Sequence, residues 1–117
     1  MVIERNKYLQ ELVSCRHNGL VKIITGMRRC GKSFLLFRLF RRFLEDNGVA
    51  NDHIVEMAFD DYAFKEFRNP DKFYGYVKGR IVDDQPYYIL LDEVQMLNEF
   101  EDVLNVLLHI LNADVYV

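Results

Sequence analysis

Apolar positions along the chain follow two periods, one typical of amphipathic helices and one typical of buried strands. Near the carboxyl end they recur every three or four residues, as on one face of a helix: Phe100, Val103, Leu104, Leu107, Leu108 and Leu111. Ahead of them, the run from Tyr87 to Leu91 is apolar throughout and is bounded by Pro86 and Asp92. Such a run predicts a central parallel strand that is buried on both faces.

The same two periods predict the remaining elements. Helices are expected over residues 3–13, 32–46 and 70–80, and strands over residues 20–25, 53–59 and 114–117. Asn69 and Pro70 supply the cap and first turn of one helix, and Asn98 with Glu101 forms a capping pair for the last one. Because helices and strands alternate, the predicted fold class is α/β, with a mostly parallel sheet sandwiched by helices.

A glycine-rich motif separates the first predicted strand from the helix that follows it. Its sequence, GMRRCGKS, fits the phosphate-loop pattern G-x-x-x-x-G-K-[ST] at every fixed position. Glycines let backbone amides turn toward phosphate oxygens, and the helix N-terminus adds unpaired N–H groups. We therefore predict a nucleotide-binding loop formed by Gly26, Met27, Arg28, Arg29, Cys30, Gly31, Lys32 and Ser33.

Two side chains at the end of this loop carry specific chemistry. Lys32 is expected to reach the β- and γ-phosphates and to stabilise the transferred charge, which makes it a candidate catalytic residue. The Ser33 hydroxyl is expected to bind Mg²⁺. The alternative, a glycine-rich turn that matches by chance, is disfavoured because strand, helix and spacing all agree.

A second motif, Asp92-Glu93, follows the apolar strand at the end where open α/β sheets gather ligands. This arrangement is typical of a Walker B motif, in which Asp92 holds Mg²⁺ through water and Glu93 activates the attacking water as a catalytic base. A built-in base favours hydrolysis over kinase chemistry, and the absence of D-x-x-G and N-K-x-D patterns favours ATP over GTP. The alternative interpretation is a solvated acidic loop.

Composition and charge limit the class of protein. With 117 residues, of which 50% are hydrophobic and 28% charged, the chain is expected to form one globular domain. The net charge is −3, but residues 1–42 hold ten Lys or Arg against two acids. This local excess of positive charge predicts that an anion binds near the phosphate loop. The absence of a bilayer-length apolar run, of a secretory signal and of metal-spaced cysteines predicts no membrane partner and a cytoplasmic location.

The stretches VKIITGMRRCGKSFLL and YYILLDEVQ resemble predicted ATPases of bacteria and archaea in the AAA+/STAND-related archaeal ATPase group. The doubled arginine and the D-E-x-Q ending carry the resemblance, which covers nearly the whole chain. It implies an ASCE/RecA-like P-loop NTPase with sheet order 5-1-4-3-2, in which the strand over residues 114–117 separates the phosphate-loop strand from the Asp-Glu strand. It also implies a polar sensor residue just past Val117.

In that family the ATPase core is followed by further helices, a winged-helix-like part and often a nuclease-like domain. The resemblance therefore implies that residues 1–117 are the N-terminal part of a single P-loop ATPase domain. The fold is expected to be truncated after its fourth strand, with the remaining strand and the C-terminal domains absent. These residues alone are expected to bind nucleotide weakly and to hydrolyse little of it.

Together these features predict ATP binding and Mg²⁺-dependent ATP hydrolysis that drives conformational change in a larger protein. The alternative is a nucleotide-gated interaction module with little turnover. Expected partners are ATP and either another protein or further copies of the chain, and nucleic acid is reached only through C-terminal domains.

Several residues near the motifs keep two interpretations each. Arg28 and Arg29 contact either phosphate or a neighbouring subunit. Cys30 is either a reactive thiol beside the phosphates or a small space-filling residue. The resemblance alone implies that Gln95 passes a signal between the nucleotide and a partner.

Overall fold

The computed structural model describes residues 9–16, 21–22, 35–110 and 112–117. Within these ranges the helices are residues 9–14 (α1), Arg41–Asp46 (α2), Pro70–Arg80 (α3) and Phe100–Leu107 (α4). The strands are Ile54–Ala58 (β1), Tyr87–Asp92 (β2) and Ala113–Tyr116 (β3). A π-helix precedes α2, and 3₁₀ turns lie at Asn51–His53, Tyr62–Arg68 and Val94–Met96. The predicted α/β alternation is confirmed over the described residues, and the strand predicted over residues 20–25 lies outside them except at 21–22.

The three strands form one parallel sheet in the order β1-β2-β3, so the apolar run predicted to be central lies in the middle. Lys22 pairs with the free edge of β3. Its N–H donates to the Val115 carbonyl (2.9 Å), and its own carbonyl accepts the N–H of Val117 (2.8 Å), in the parallel sense. β3 therefore separates the segment of Lys22 from β2, which confirms this part of the strand order expected for a P-loop NTPase.

Helices cover both faces of the sheet. Alternate residues of β2 point to opposite faces, and all of them are buried. Ile89 and Leu91 belong to a first core beneath α3 and α4, whereas Tyr88 and Leu90 belong to a second core beneath α1 and α2. Large side chains that are fully buried fill the two cores, among them Phe59, Phe73, Leu35, Phe40 and Tyr116. The predicted sandwich of helices around the sheet is thus confirmed.

The helix predicted over residues 32–46 is described from residue 35 onward and changes its winding along its length. Leu35–Phe40 is π-helical, and Arg41–Asp46 is α-helical. The apolar pairs 35/36, 39/40 and 43/44 all pack into the second core. They recur every four residues, which exceeds the 3.6-residue α period, and a wider turn keeps them on the face that meets the sheet. Gly48, at φ 88°, ends the helix where Asn47-Gly48 predicts its stop.

The cap predicted for α3 is confirmed. The Asn69 side chain accepts hydrogen bonds from the N–H groups of Asp71 (3.0 Å) and Lys72 (3.1 Å). Pro70 occupies the first turn, where its missing N–H leaves no bond unmade. Local sequence alone therefore sets the start of this helix.

The capping pair predicted for α4 is wrong. The N-cap residue is Glu99, which has a positive φ of 56°, and no side chain caps the first turn. Asn98 instead donates its backbone N–H to the carbonyl of Arg68 (2.9 Å). This contact with the preceding loop shifts the start of α4 by one residue.

Candidate functional site

The carboxyl end of β2 places the second sequence motif at the edge of the sheet. Asp92 is the last residue of the strand, is 3% exposed and lies opposite Ala58, the last residue of β1. Its carbonyl accepts the N–H of Phe59 (3.0 Å), and its Oδ1 accepts the N–H of Glu93 (3.1 Å). A buried carboxylate is thereby fixed at the edge where parallel α/β sheets bind ligands.

Glu93 leaves the strand in the left-handed conformation, at φ 54° and ψ 45°. This conformation costs roughly 1–2 kcal/mol for a residue with a Cβ. The turn that follows maintains it, because Val94 and Leu97 are buried in the first core and the Met96 N–H donates to the Glu93 carbonyl (3.1 Å). Strain of this kind concentrates at functional sites, and here it falls on the half-buried Glu93, directly after Asp92 in the chain.

Gln95 contacts Glu93 directly. Its Nε2 donates a hydrogen bond of 2.6 Å to Glu93 Oε1, although the Gln95 side chain is otherwise exposed. A hydrogen bond to an ionised acceptor is shorter and stronger than one between neutral groups. The amide therefore limits where the Glu93 carboxylate can point.

Arg68 braces the two loops at this edge of the sheet. Its Nε donates to the Phe59 carbonyl (2.8 Å) just after β1, and its own carbonyl accepts the N–H of Asn98 after β2. Asp61 shapes the first of these loops by accepting the N–H of Ala63 (3.0 Å). The segment that carries Glu93 is thus tied to the neighbouring strand by backbone and side-chain bonds.

A buried charged cluster joins β3 to the segment of Lys22. The Lys22 ammonium forms an ion pair with Asp114 Oδ1, and the Tyr116 hydroxyl donates to Asp114 Oδ2 (2.6 Å). All three residues are at most 8% exposed. Burial and the bond to Asp114 raise the pKa of Tyr116 well above its usual range, so its hydroxyl stays a donor. This cluster was not predicted from the sequence, although a single lysine and a single aspartate in two otherwise apolar strands are the signal for it.

The residues of the phosphate loop, Gly26 to Ser33, lie outside the described residues, so their predicted roles stay predictions. Among the described residues, no group of three or more His, Cys, Asp or Glu is arranged to hold a metal ion by itself. Mg²⁺ does not require such a cage, since it keeps several waters and is usually bound by one or two carboxylates together with substrate phosphates. Asp92 fits that requirement as a hard oxygen donor fixed at the sheet edge.

Comparison with known protein families shows which family has this sequence. The profile of the AAA domain family matches residues 18–117, which include both sequence motifs. The chain belongs to the AAA domain family. An AAA domain indicates a nucleotide-binding, ATPase-like function, and AAA ATPases typically use Mg²⁺ together with ATP.

This AAA domain is 28% identical over 117 residues to an uncharacterized protein of Haemophilus influenzae. The alignment covers 99% of the chain but 29% of that protein, so the chain spans less than a third of this relative. No solved structure matches the chain. In the described part of the AAA domain, no helix is long and apolar enough to cross a membrane.

Proposed function

We propose that the chain binds Mg²⁺-ATP and hydrolyses it, with Glu93 as the base that activates water. The observation that carries the proposal is the sheet edge, where buried Asp92 and strained Glu93 follow each other at the end of the central strand. Membership of the AAA family supports it, because the profile spans this edge and the phosphate-loop motif together.

The phosphate-binding half of the site is assigned to Gly26–Ser33. At Lys22 the backbone pairs parallel to β3, so the chain there heads toward the same sheet edge as Asp92. The loop of glycines begins four residues later in the sequence. Its backbone amides and Lys32 bind the phosphates and stabilise the charge that develops on them.

The water-activating half of the site is assigned to β2. Ser33 and Asp92 hold the Mg²⁺, which neutralises phosphate charge when it is bound. Glu93 accepts the proton of a water placed in line with the γ-phosphate, and its left-handed backbone marks the point where the chain leaves the strand. Asp92 thus serves metal binding and Glu93 serves proton transfer.

The finer assignment is to the AAA+/STAND-related archaeal ATPase group. Residues 1–117 are then the N-terminal part of one P-loop ATPase domain, completed by a further strand, a sensor residue and C-terminal domains. The coverage of 29% of the relative from Haemophilus influenzae supports a larger protein. In that protein, hydrolysis in the cytoplasm drives a conformational change passed to a protein partner or to other copies.

Removing the Lys32 ammonium should weaken ATP binding. The variant Lys32→Ala in the full-length protein is expected to raise the ATP dissociation constant about 10- to 100-fold, since a bond to a charged group contributes about 1.5–3 kcal/mol. Isothermal titration calorimetry measures the change. Lys72→Ala, which removes an exposed lysine from α3, is the matched control and should bind ATP as the wild type does. Equal affinity for Lys32→Ala and wild type would overturn the assignment of the phosphate loop.

A further inference from the structure

The contact between Gln95 and Glu93 has no evident role in stabilising the fold. Both residues lie at the surface of the turn after β2, where Gln95 is exposed and Glu93 is partly exposed. A polar pair that is open to water contributes little to the free energy of unfolding. The 2.6 Å bond therefore calls for an explanation in terms of the carboxylate that it restrains.

We infer that Gln95 is a positioning residue, whose side-chain amide holds the Glu93 carboxylate in the orientation needed to take a proton from water. The inference rests on the proposed function, in which Glu93 is the base. Gln95 is assigned no contact with ATP, so its effect reaches the reaction only through Glu93.

The backbone on both sides of the contact is rigid enough for positioning. On the Glu93 side, the left-handed conformation and the N–H bond to Asp92 Oδ1 (3.1 Å) fix the start of the side chain. On the Gln95 side, Val94 is buried and the Leu97 N–H donates to its carbonyl (2.9 Å), which closes the 3₁₀ turn. Because the backbone is fixed at both residues, the Glu93 side chain moves mainly by rotation about its own torsion angles. The hydrogen bond from the Gln95 amide restricts that rotation.

The geometry of the amide suits one carboxylate oxygen. An amide Nε2 is a donor without charge, so it directs Oε1 without pairing the carboxylate with a cation. Misplacement of a reacting group by about 1 Å is enough to lower a rate about 100-fold. Loss of the Gln95 amide should therefore lower turnover strongly and leave nucleotide affinity unchanged.

Three substitutions of Gln95 in the full-length protein separate positioning from a structural role. Gln95→Met keeps the length of the side chain and removes the donor, and should lower kcat about tenfold with KM for ATP unchanged. Gln95→Glu adds a like charge and should lower kcat further. Gln95→Asn keeps an uncharged amide donor on a shorter side chain and should retain more turnover than Gln95→Met. Met96→Leu, a change at an exposed neighbour in the same turn, is the control and should keep wild-type kcat.

Combination with Glu93→Gln tests whether the effect passes through Glu93. Adding Gln95→Met to Glu93→Gln should lower kcat no further, since residues that act as one unit are not additive. Wild-type kcat in Gln95→Met, with turnover lost in Glu93→Gln, would overturn the positioning role and leave the proposed function intact. Full turnover in both single variants would overturn the two together.

Discussion

Replacing Glu93 with glutamine should lower ATP turnover by about 100- to 10,000-fold, the usual contribution of a positioned general base. Glutamine has nearly the same shape and cannot accept the proton, so the left-handed turn and the packing of Val94 and Leu97 are kept. ATP affinity should stay within a few-fold of wild type, because Glu93 is not assigned to phosphate or metal. Steady-state phosphate release and calorimetric ATP binding, both on the full-length protein, measure the two quantities.

Glu99 provides a control matched in chemistry and backbone. It is also a glutamate with a positive φ, at 56°, and it lies at the start of α4, away from the end of β2. Glu99→Gln should therefore hydrolyse ATP at the wild-type rate. Wild-type turnover in Glu93→Gln would remove Glu93 as the base. An equal loss of turnover in both variants would instead show a general effect of neutralising a glutamate with a positive φ.

Removing the buried carboxylate of Asp114 should destabilise the fold by about 3–5 kcal/mol. Asp114→Ala leaves the Lys22 ammonium buried without its counter-ion and takes the acceptor from the Tyr116 hydroxyl. Lys22 belongs to the segment that precedes the phosphate loop. The substitution should therefore weaken the pairing between that segment and β3. Urea denaturation followed by circular dichroism gives the change in the free energy of unfolding.

A combined replacement distinguishes the loss of a counter-ion from the loss of packing. Lys22→Met, Asp114→Leu and Tyr116→Phe together remove both charges and the hydroxyl while filling a similar volume. This variant should recover most of the stability lost in Asp114→Ala, since a buried ion pair replaced by apolar groups is often neutral or stabilising. If the combined variant were as unstable as Asp114→Ala, the cluster would matter through shape rather than through charge.

Sequence reasoning succeeded where a few adjacent residues set the structure. The cap at Asn69 and the run from Tyr87 to Leu91 each depend on local bonds or on complete burial, and both lie where predicted. The cap of α4 failed because a carbonyl from another loop, that of Arg68, takes the N–H of Asn98. No local pattern reports a competitor that is distant in sequence.

The candidate site shows the same division. The place of Asp92 and Glu93 at the sheet edge follows from their position after an apolar strand, which is a local property. The pairing of Lys22 with Asp114 joins residues that are 92 positions apart and appears only when the strands are aligned. The bond from Gln95 to Glu93 depends on a left-handed backbone that nothing in the residue types of D-E-V-Q requires.

Release of inorganic phosphate from ATP by the full-length wild-type protein, with Mg²⁺ and with excess EDTA, tests the central claim most directly. Hydrolysis at the edge of β2 predicts release that saturates with ATP, requires Mg²⁺ and stops in EDTA. A folded protein that binds Mg²⁺-ATP but releases phosphate no faster than Glu93→Gln would contradict the claim, and would favour the alternative of a nucleotide-gated interaction module.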